Sequence, residues 1–294
     1  MKDKITKFTF IVLPFSIYFV FFLAPNLSIF LLGLNEWDIR PTFLNVSLAP
    51  LKRLFTDPRF YEAIIHNLML VFNSVFIQLG IAFVIAYLLR KPIAKMLKTV
   101  FNTIYFLPVA ISLVAIALLW KWMYQPSGLF NILLKSIGLG SFARPWLSSV
   151  TTIFPYFDTP FLALLIGINW TWFGMYVVLF SAGMREIPQK YFDAAKIDGL
   201  SELTKIRKIV LPSIKPLWFS FSILAISGSF KSFAFVWNTT MGGPGNSTSV
   251  AGTFLYRQAF RSLDMGYAST IGMVVAIIGF LMVIISLKRS GRLF

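Results

Sequence analysis

The sequence predicts an all-α, polytopic membrane protein with six transmembrane helices. Its mean hydropathy is +0.76, and charged residues make up only 13% of the chain, about half the share that is usual in globular proteins. A helix that crosses a bilayer needs roughly 20 apolar residues. Six runs approach that length, at residues 8–34, 68–89, 105–122, 161–182, 217–237 and 267–287. Little sequence remains outside them, so we expect residues 1–294 to form a single transmembrane domain.

The first run follows a basic start, MKDKITK, which resembles the start of a signal peptide. Its apolar stretch is too long for a signal peptide and further spans follow, so we expect a retained anchor. Pro14 and Pro25 lie within the run and predict a kink or break. Membrane helices tolerate such breaks where neighbouring groups satisfy the freed carbonyls.

The basic residues are divided unevenly among the segments that join the runs. The segments before run one, between runs two and three, between runs four and five, and after run six hold 3, 4, 7 and 3 of the 27, and the alternate loops hold eight. The residues concerned are Lys2, Lys4, Lys7; Arg90, Lys91, Lys95, Lys98; Arg185, Lys190, Lys196, Lys205, Arg207, Lys208, Lys215; Lys288, Arg289 and Arg292. This asymmetry predicts that both termini are cytoplasmic. The net charge of +16 is therefore an orientation signal, and we expect no nucleic acid partner.

Several kinds of chemistry have no obvious residues in this chain. Cysteine is absent, which excludes disulfides, thiolate metal sites and cysteine nucleophiles. His66 is the single histidine and is interpreted as a polar anchor at the membrane interface. The glycine-rich segment 241–249 lacks the lysine and the preceding strand of a phosphate-binding loop, so it predicts a turn-rich outer loop. We expect no enzyme activity, no metal site and no cofactor bound by this chain.

The longest polar segment, residues 187–212, predicts a hairpin of two helices. Pro188 suits a first helical turn, and Gly199 suits the left-handed residue that ends a helix. Ser201 can cap a second helix that runs to about Val210, where Pro212 is expected to stop it. The fifth span would then start at Pro216.

Two interpretations of this hairpin remain open from the residues alone. Ile187, Tyr191 and Ala195 fall one turn apart, and the small pair Ala194 and Ala195 would let another surface approach the backbone closely. The hairpin is then either packed on its own spans or a docking knob for a cytoplasmic partner.

The spacing within the hairpin resembles a known motif. Asp193-Ala194-Ala195, three residues, Gly199, nine residues, Ile209, one residue and Leu211-Pro212 resemble the EAA loop of binding-protein-dependent ABC importer permeases. Asp193 stands where that family usually has Glu, and Leu200 where it usually has Ala after the glycine.

Other segments resemble the sugar branch of the same family over nearly the whole chain. They are IYFLPVAIS at 104–112, WKWMYQPSGLFNILL at 120–134, AGMREIPQKYFDAAKIDG at 182–199, TMGGPGNSTS at 240–249 and YRQAFRSLDMGYAST at 256–270. The start, LPFSIYFVFFLAPNLSIFLLGLNEWD, is similar to the type of the maltose importer's larger membrane subunit and the glycerol-3-phosphate importer's first permease. The resemblance implies the transmembrane domain of a type I (MetI-like) ABC importer in a bacterial inner membrane.

The resemblance also implies partners and a division of labour. The hairpin would insert into a homodimeric ABC ATPase that binds ATP and Mg²⁺, and the chain would pair with a second, homologous permease. A solute-binding protein would deliver sugar at the outer face. The coupling residues carried over from the motif are Asp193, Ala194, Ala195, Gly199, Ile209, Leu211 and Pro212.

Polar and aromatic residues inside spans are the candidates for a sugar pathway, since sugar rings pack on aromatic faces and bond through hydroxyls. They are Asn169, Trp170, Trp172 and Tyr176 in run four, and Ser229, Lys231 and Ser232 in run five. Trp170 matches a tryptophan that recurs in the family where the maltose importer contacts sugar. The aromatics fit a lipid-facing belt equally well.

Lys231 is harder to explain as a lipid-facing residue, because an ammonium group there would cost roughly 3 kcal/mol. It is expected to face a cavity or a carboxylate, although a basic residue also occurs here in relatives and is compatible with an architectural role.

Three hypotheses on function follow. The first is an ABC permease for a sugar or oligosaccharide, with a polyol, glycerol-3-phosphate or acidic sugar as the alternative cargo. The second is a secondary transporter or channel that works alone, which predicts an inverted repeat and intramembrane acids, and neither is visible. The third is a membrane scaffold, which would not need the polar series of runs four and five.

Overall fold

The structure is a computed structural model that describes residues 2–35, 46–90 and 95–289. Lys91, Arg292 and residues 36–38 at the end of the first quoted segment lie outside the described residues. The described chain is mostly helical, which confirms the predicted all-α class.

The α-helices follow one another along the whole chain. They are α1 (Lys2–Tyr18), α2 (Ala24–Leu32), α3 (Ala49–Leu54), α4 (Pro58–Phe72), α5 (Leu79–Leu88), α6 (Lys95–Ala110), α7 (Leu113–Met123), α8 (Leu129–Ser136), α9 (Thr159–Arg185), α10 (Gln189–Ile197), α11 (Glu202–Lys205), α12 (Leu211–Phe230), α13 (Phe233–Thr239), α14 (Ala251–Phe260) and α15 (Met265–Arg289). Between them lie π-helical segments at Phe19–Leu23, Asn73–Gln78 and Ile206–Val210, and a 3₁₀ turn at Gly140–Phe142. The short strands β1 (Thr152–Phe154) and β2 (Phe157–Asp158) pair antiparallel, with Phe154 opposite Phe157.

Five helices of the described chain are long and apolar enough to cross a membrane. They are Phe10–Leu32, Pro58–Leu88, Thr159–Arg185, Glu202–Phe230 and Met265–Lys288. A sixth crossing is possible through the pair Thr103–Ala110 and Leu113–Met123, which meet at an angle of 107°. Run 105–122 is therefore not one straight helix. Ser112 is extended, with φ −55° and ψ 131°, and starts a new helix whose first bond runs from Ile116 N to Ser112 O.

The first apolar helix passes Pro25 without the expected break. A π-helical segment, Phe19–Leu23, precedes the proline, and the amide of Asn26 donates to the carbonyl of Phe22 at 2.7 Å. The wider π turn and the side-chain amide thus rearrange the bonding around the proline, which has no N–H to donate.

The prediction that Pro212 stops the second hairpin helix, and that Pro216 starts a span, is wrong. Helix Glu202–Phe230 runs through both prolines. The π-helical segment Ile206–Val210 lies directly before Pro212, and the N–H of Leu211 bonds to the carbonyl of Ile206. In the π-helical segment the backbone hydrogen bonds join residues five apart instead of four. This change of pattern accommodates the missing N–H of Pro212, so the helix continues.

The fifth span ends earlier than the predicted residue 237. Helix α12 ends at Phe230, and the N–H of Lys231 turns back to the carbonyl of Gly228 at 3.0 Å. The hydroxyl of Ser232 also donates to Gly228 and Ser229 carbonyls. These serine bonds compete with the helical ladder, and a separate helix, α13, follows.

The chain divides into two compact units, residues 1–60 with 254–278, and residues 61–253 with 279–294. In the first unit, the hydroxyl of Thr270 donates to the carbonyl of Gly33 at 2.8 Å. Asp57 lies before α4 and accepts from Arg59 at 2.9 Å and from the hydroxyl of Tyr267 at 2.9 Å. Burial opposes ionisation of Asp57, but these hydrogen bonds and the charge of Arg59 outweigh it and lower the pKa of the carboxyl.

The second unit has two hydrophobic cores along α9. One lies between α5, the middle and end of α9, and α12, with Phe180 and Val177 fully buried. The other lies between α7, the start of α9 and α13, with Phe161 and Ala117 fully buried. Gly174 of α9 lies against the carbonyl of Tyr105 of α6, where a β-carbon would collide with the backbone.

Candidate functional site

The first helix of the hairpin, α10, has the termini that its sequence predicts. Pro188 is its N-terminal flanking residue. Gly199 has φ +67°, a left-handed conformation, as predicted. The N–H of Leu200 bonds to the carbonyl of Ala195 at 2.9 Å, and that of Gly199 to the carbonyl of Lys196 at 3.2 Å, which is the bonding of a Schellman motif.

The second helix starts with the predicted cap. The hydroxyl of Ser201 accepts from the N–H of Thr204 at 3.3 Å. Glu202 follows in the first turn, where its carboxylate accepts from the ammonium of Lys205 at 3.1 Å and from the hydroxyl of Tyr87 at 3.0 Å. The bond to Tyr87 ties this helix to the end of α5.

A second tie to the end of α5 involves Arg90, whose role the sequence did not reveal beyond its charge. The guanidinium of Arg90 lies 3.2 Å from the ring centre of Phe192 and donates to Gln189 at 3.2 Å. Burial lowers the pKa of Arg90, and the charge interaction with Tyr87 opposes this. The hairpin is thus held at both of its helices.

The two faces of α10 differ. Ala195 is buried within this chain alone, as is Ile187 before the helix. Asp193 and Ala194 are exposed, and Asp193 accepts from the amide of Gln189 at 3.0 Å. One alanine of the predicted pair thus packs within the chain and the other is accessible. Tyr191 is half-exposed.

The remaining motif residues lie where the hairpin joins α12. Ile209 packs against the core, whereas Leu211 and Pro212 are exposed. Leu211 and Pro212 line a groove of about 470 Å³. Its other lining residues are Arg207, Ile214, Lys215, Trp218 and Phe219.

Ile197 is a hairpin residue that motif reasoning missed. Its side chain is 87% exposed, although isoleucine is among the residues most often buried in proteins. It lies two residues before Gly199, at the end of α10. The sequence does contain a signal for this residue, because a large apolar side chain lies near the end of a charged helix.

Four of the predicted pathway residues line one cavity of about 240 Å³ between α9, α12 and the segment around residue 74. They are Trp172, Tyr176, Ser229 and Ser232. Tyr176 and Ser229 are buried, and the hydroxyl of Ser229 donates to that of Ser74 at 3.2 Å. The cavity therefore combines two aromatic side chains with serine hydroxyl groups in a mainly apolar lining.

The other three predicted pathway residues lie elsewhere. Asn169 exchanges two hydrogen bonds of 3.0 Å with Asn73 and lines a separate, mainly apolar groove of about 660 Å³. Trp170 is 39% exposed and packs edge-on against Trp120 at 5.8 Å. Lys231 is exposed at the end of α12, and within the described ranges no carboxylate lies at ion-pair distance from it.

The polar residues of the second span were also missed. Asn73, Ser74 and Gln78 are buried on the π-helical segment Asn73–Gln78, and Gln78 donates to the carbonyl of Ile168 at 3.4 Å. Ser74 and Gln78 line the 240 Å³ cavity. Their spacing of four residues inside an apolar run was a detectable signal.

His66 and Asn67 are buried within the chain. The ring of His66 stacks on Phe161 at 4.6 Å, and its two nitrogens lie 2.8 Å and 3.0 Å from the carbonyl oxygens of Ser249 and Tyr156. Asn67 donates to the carbonyl of Ser229 at 3.0 Å and accepts from the N–H of Ala251 at 2.7 Å. His66 therefore has a structural role in bridging two loops, and its location at the membrane interface stays a prediction. In the part of the chain that the structure describes, no three His, Asp or Glu side chains group as metal ligands.

The chain belongs to the family described as binding-protein-dependent transport system inner membrane component, whose model matches residues 78–293. A probable ABC transporter permease protein of Bacillus subtilis, YurN, is 31% identical over 99% of this chain and 98% of its own length. The lactose transport system permease protein LacF of Rhizobium radiobacter is 30% identical over 88% of this chain and 85% of its own length.

A solved structure has the same fold. The crystal structure of a bacterial ABC transporter involved in the import of the acidic polysaccharide alginate aligns with a TM-score of 0.83, at 19% identity, over 99% of this chain and 97% of that chain. The predicted family and MetI-like transmembrane fold are therefore confirmed. The chain is an inner membrane component, and ATP hydrolysis in this family belongs to a separate subunit.

Proposed function

We propose that this chain is one permease subunit of an ATP-driven carbohydrate importer and that the hairpin of residues 187–212 couples it to a cytoplasmic ATPase. The observation that carries the proposal is helical continuity. The second hairpin helix continues through Pro212 into α12, whose far end carries Ser229 in the wall of the 240 Å³ cavity. The first hairpin helix follows α9, which carries Trp172 and Tyr176 in the same cavity.

This continuity supports a lever. At 1.5 Å per residue, Tyr176 lies roughly 14 Å along α9 from its end at Arg185. A force that displaces the hairpin therefore acts on two cavity walls through rigid helices. Asp193, Ala194, Gly199, Leu211 and Pro212 would meet or shape the ATPase surface, and Ala195 and Ile209 would hold the hairpin on its own chain.

The partners in this proposal follow from the family. A second, homologous permease completes the pathway, and a homodimeric ATPase carries the ATP and Mg²⁺, so this chain itself binds no cofactor. A solute-binding protein delivers the cargo on the outer side. Both termini and the hairpin then lie in the cytoplasm, as the excess of basic residues in these segments supports.

Carbohydrate is the proposed cargo class. The lining of the 240 Å³ cavity supports it, with Trp172 and Tyr176 as apolar faces and Ser74, Ser229 and Ser232 as hydroxyl partners. The name of the lactose permease relative agrees with this class. An acidic sugar is a second candidate, favoured by the exposed ammonium of Lys231 at the end of α12.

Reconstitution tests the proposal. The chain is placed in proteoliposomes with the permease, ATPase and binding protein encoded beside it, and uptake of a labelled saccharide panel is measured. We expect uptake that requires ATP, Mg²⁺ and every partner. Uptake by this chain alone would instead indicate a secondary transporter, and no uptake of any saccharide by an ATP-hydrolysing complex would contradict the cargo class.

A further inference from the structure

Helix α8 of the segment that joins α7 to α9 presents an apolar surface outward. Leu129, Ile132 and Leu133 are 53%, 55% and 49% exposed, and Ile137 after the helix is 67% exposed. Ser136 lies on the same side, and its hydroxyl donates a hydrogen bond to the carbonyl of Leu133 at 2.8 Å. A surface helix normally turns such residues inward.

The orientation of α8 is held by a buried asparagine. Asn131 is 1% exposed, and its amide donates to the carbonyls of Gln125, Pro126 and Arg144. Its oxygen accepts from the N–H of Arg144 at 3.2 Å and from the indole of Trp146 at 2.9 Å. Rotating α8 to bury its apolar face would leave these buried polar groups unpaired, which is unfavourable. The apolar face is therefore part of the fold.

Lipid is the occupant that the location of α8 favours. Five residues lie between Met123 at the end of α7 and Leu129, so the start of α8 lies within about 22 Å of that end. The half-crossing α7 ends with Trp122, which is 66% exposed, and tryptophan is typical of the boundary between membrane and water. The apolar face of α8 thus continues a lipid-facing surface.

The charge of the segment favours anionic headgroups. Residues 124–158 contain two basic residues, Lys135 and Arg144, and one acidic residue, Asp158, which lies next to α9 and 22 residues after α8 ends. Lys135 is exposed, and Arg144 stays near the surface over the ring of Trp146 at 5.6 Å. Apolar side chains beside cations are typical of helices that lie in the plane of a membrane interface.

We propose that α8 is an interfacial helix, seated in the outer bilayer leaflet on the side of the membrane opposite the hairpin. Leu129, Ile132, Leu133 and Ile137 lie at the boundary with the acyl chains, and Lys135 and Arg144 contact the phosphates of anionic phospholipids. This goes beyond the proposed transport function, and only the choice of the outer leaflet rests on that proposal, through the cytoplasmic location of the hairpin.

The absence of cysteine permits a direct test by spin labelling. Ile132→Cys is labelled with a nitroxide in the assembled importer in nanodiscs of phosphatidylglycerol, and Ser127→Cys, an exposed polar position before α8, is the matched control. We expect the label at position 132 to collide more with oxygen, which concentrates in lipid, and less with a water-soluble nickel chelate than the control does. Equal access of nickel to both positions would overturn the proposal, and so would shielding of position 132 from both reagents, which would indicate a protein partner.

The headgroup contact has its own test in the same system. Replacing phosphatidylglycerol by phosphatidylcholine should shift the label at position 132 toward water, and Lys135→Gln with Arg144→Gln should abolish the difference between the two lipids. A label depth that is independent of lipid charge would contradict the role of the anionic headgroups. These labels occupy exposed positions, so folding is monitored separately by ATPase activity of the complex.

Discussion

Asn67 joins three segments through one amide group, although in the sequence it is only a polar residue directly before the second apolar run. Its nitrogen holds the last turn of α12 at Ser229, and its oxygen holds the start of α14 at Ala251. The neighbouring His66 contacts Ser249 and Tyr156. This pair therefore positions the break after α12, which shapes the cavity, and the glycine-rich loop.

Asn67→Leu should destabilise the protein while keeping the side-chain volume similar. The buried carbonyl of Ser229 and the N–H of Ala251 would lose their partner, at a cost of about 1–3 kcal/mol each. The prediction is checked by the thermal unfolding of the detergent-purified complex. Gln125→Leu, at an exposed position outside the helices, is the matched control. If both variants unfold at the same temperature as the wild type, the bridging role of Asn67 is refuted.

Ile197→Ser should weaken ATPase binding without destabilising the permease. The side chain is 87% exposed, so the free energy of unfolding should change by less than about 0.5 kcal/mol. We expect less ATPase to co-purify with the variant, because an exposed isoleucine at the hairpin tip is suited to an apolar contact. Ile153→Ser, exposed on β1, is the control. Equal co-purification with both variants would remove Ile197 from the interface.

The elements that the sequence predicted least well are helices in which the backbone hydrogen-bond pattern changes or is interrupted. Pro212 is a helix stop by local rules, yet the π-helical segment Ile206–Val210 carries the helix past it. The bend between α6 and α7 and the end of α12 at Phe230 were likewise missed. Each of these features depends on a few backbone hydrogen bonds. Hydropathy reports only the average apolar character of a span.

Local capping chemistry, in contrast, was predictable. Gly199 and Ser201 adopt the expected left-handed and capping roles because these roles depend on residues within one turn. Cavity residues were predictable only in part. Sequence distinguishes a polar residue inside a span, but whether Trp172 lines a cavity and Trp170 contacts Trp120 depends on helix packing.

Lys231→Met should leave assembly intact and change transport. The residue ends α12, and removing a charge from a membrane element lowers a cost of roughly 3 kcal/mol, so folding should not suffer. Uptake by the reconstituted importer should change, most strongly for acidic saccharides if the ammonium contacts cargo. Lys121→Met, an exposed cation of α7, provides the comparison. Wild-type uptake at normal membrane levels would make Lys231 architectural.

At the scale of the second unit, α9 is the central helix, because it packs against α5, α6, α7, α12 and α13. One end of α9 joins the hairpin, and its middle carries the aromatic wall of the cavity. In the proposed mechanism α9 would carry motion of the hairpin to the cavity wall, so the coupling residues and the cargo residues need not be close in space.

Membrane topology is testable at this scale. A reporter fused after Lys205 should indicate a cytoplasmic location, because that segment holds the largest group of basic residues. A reporter fused after Asn246 should indicate an external location. Fusions to alkaline phosphatase and to green fluorescent protein read the two sides independently. The reverse pattern at either position would invalidate the six-span arrangement.

Coupling of ATP hydrolysis to transport through the hairpin can be tested with a pair of glycine variants. Gly199 and Gly138 both have positive φ, +67° and +80°, and open space around the missing side chain. Valine should therefore introduce similar local strain at both positions, about 1–2 kcal/mol. Only Gly199 lies in the hairpin.

The measurement is ATP-driven uptake in proteoliposomes, with ATPase co-purification and ATP hydrolysis recorded on the same samples. We predict that Gly138→Val transports like the wild type, whereas Gly199→Val reaches the membrane but loses the ATPase or hydrolyses ATP without moving saccharide. Wild-type uptake and a bound ATPase in Gly199→Val would contradict the account.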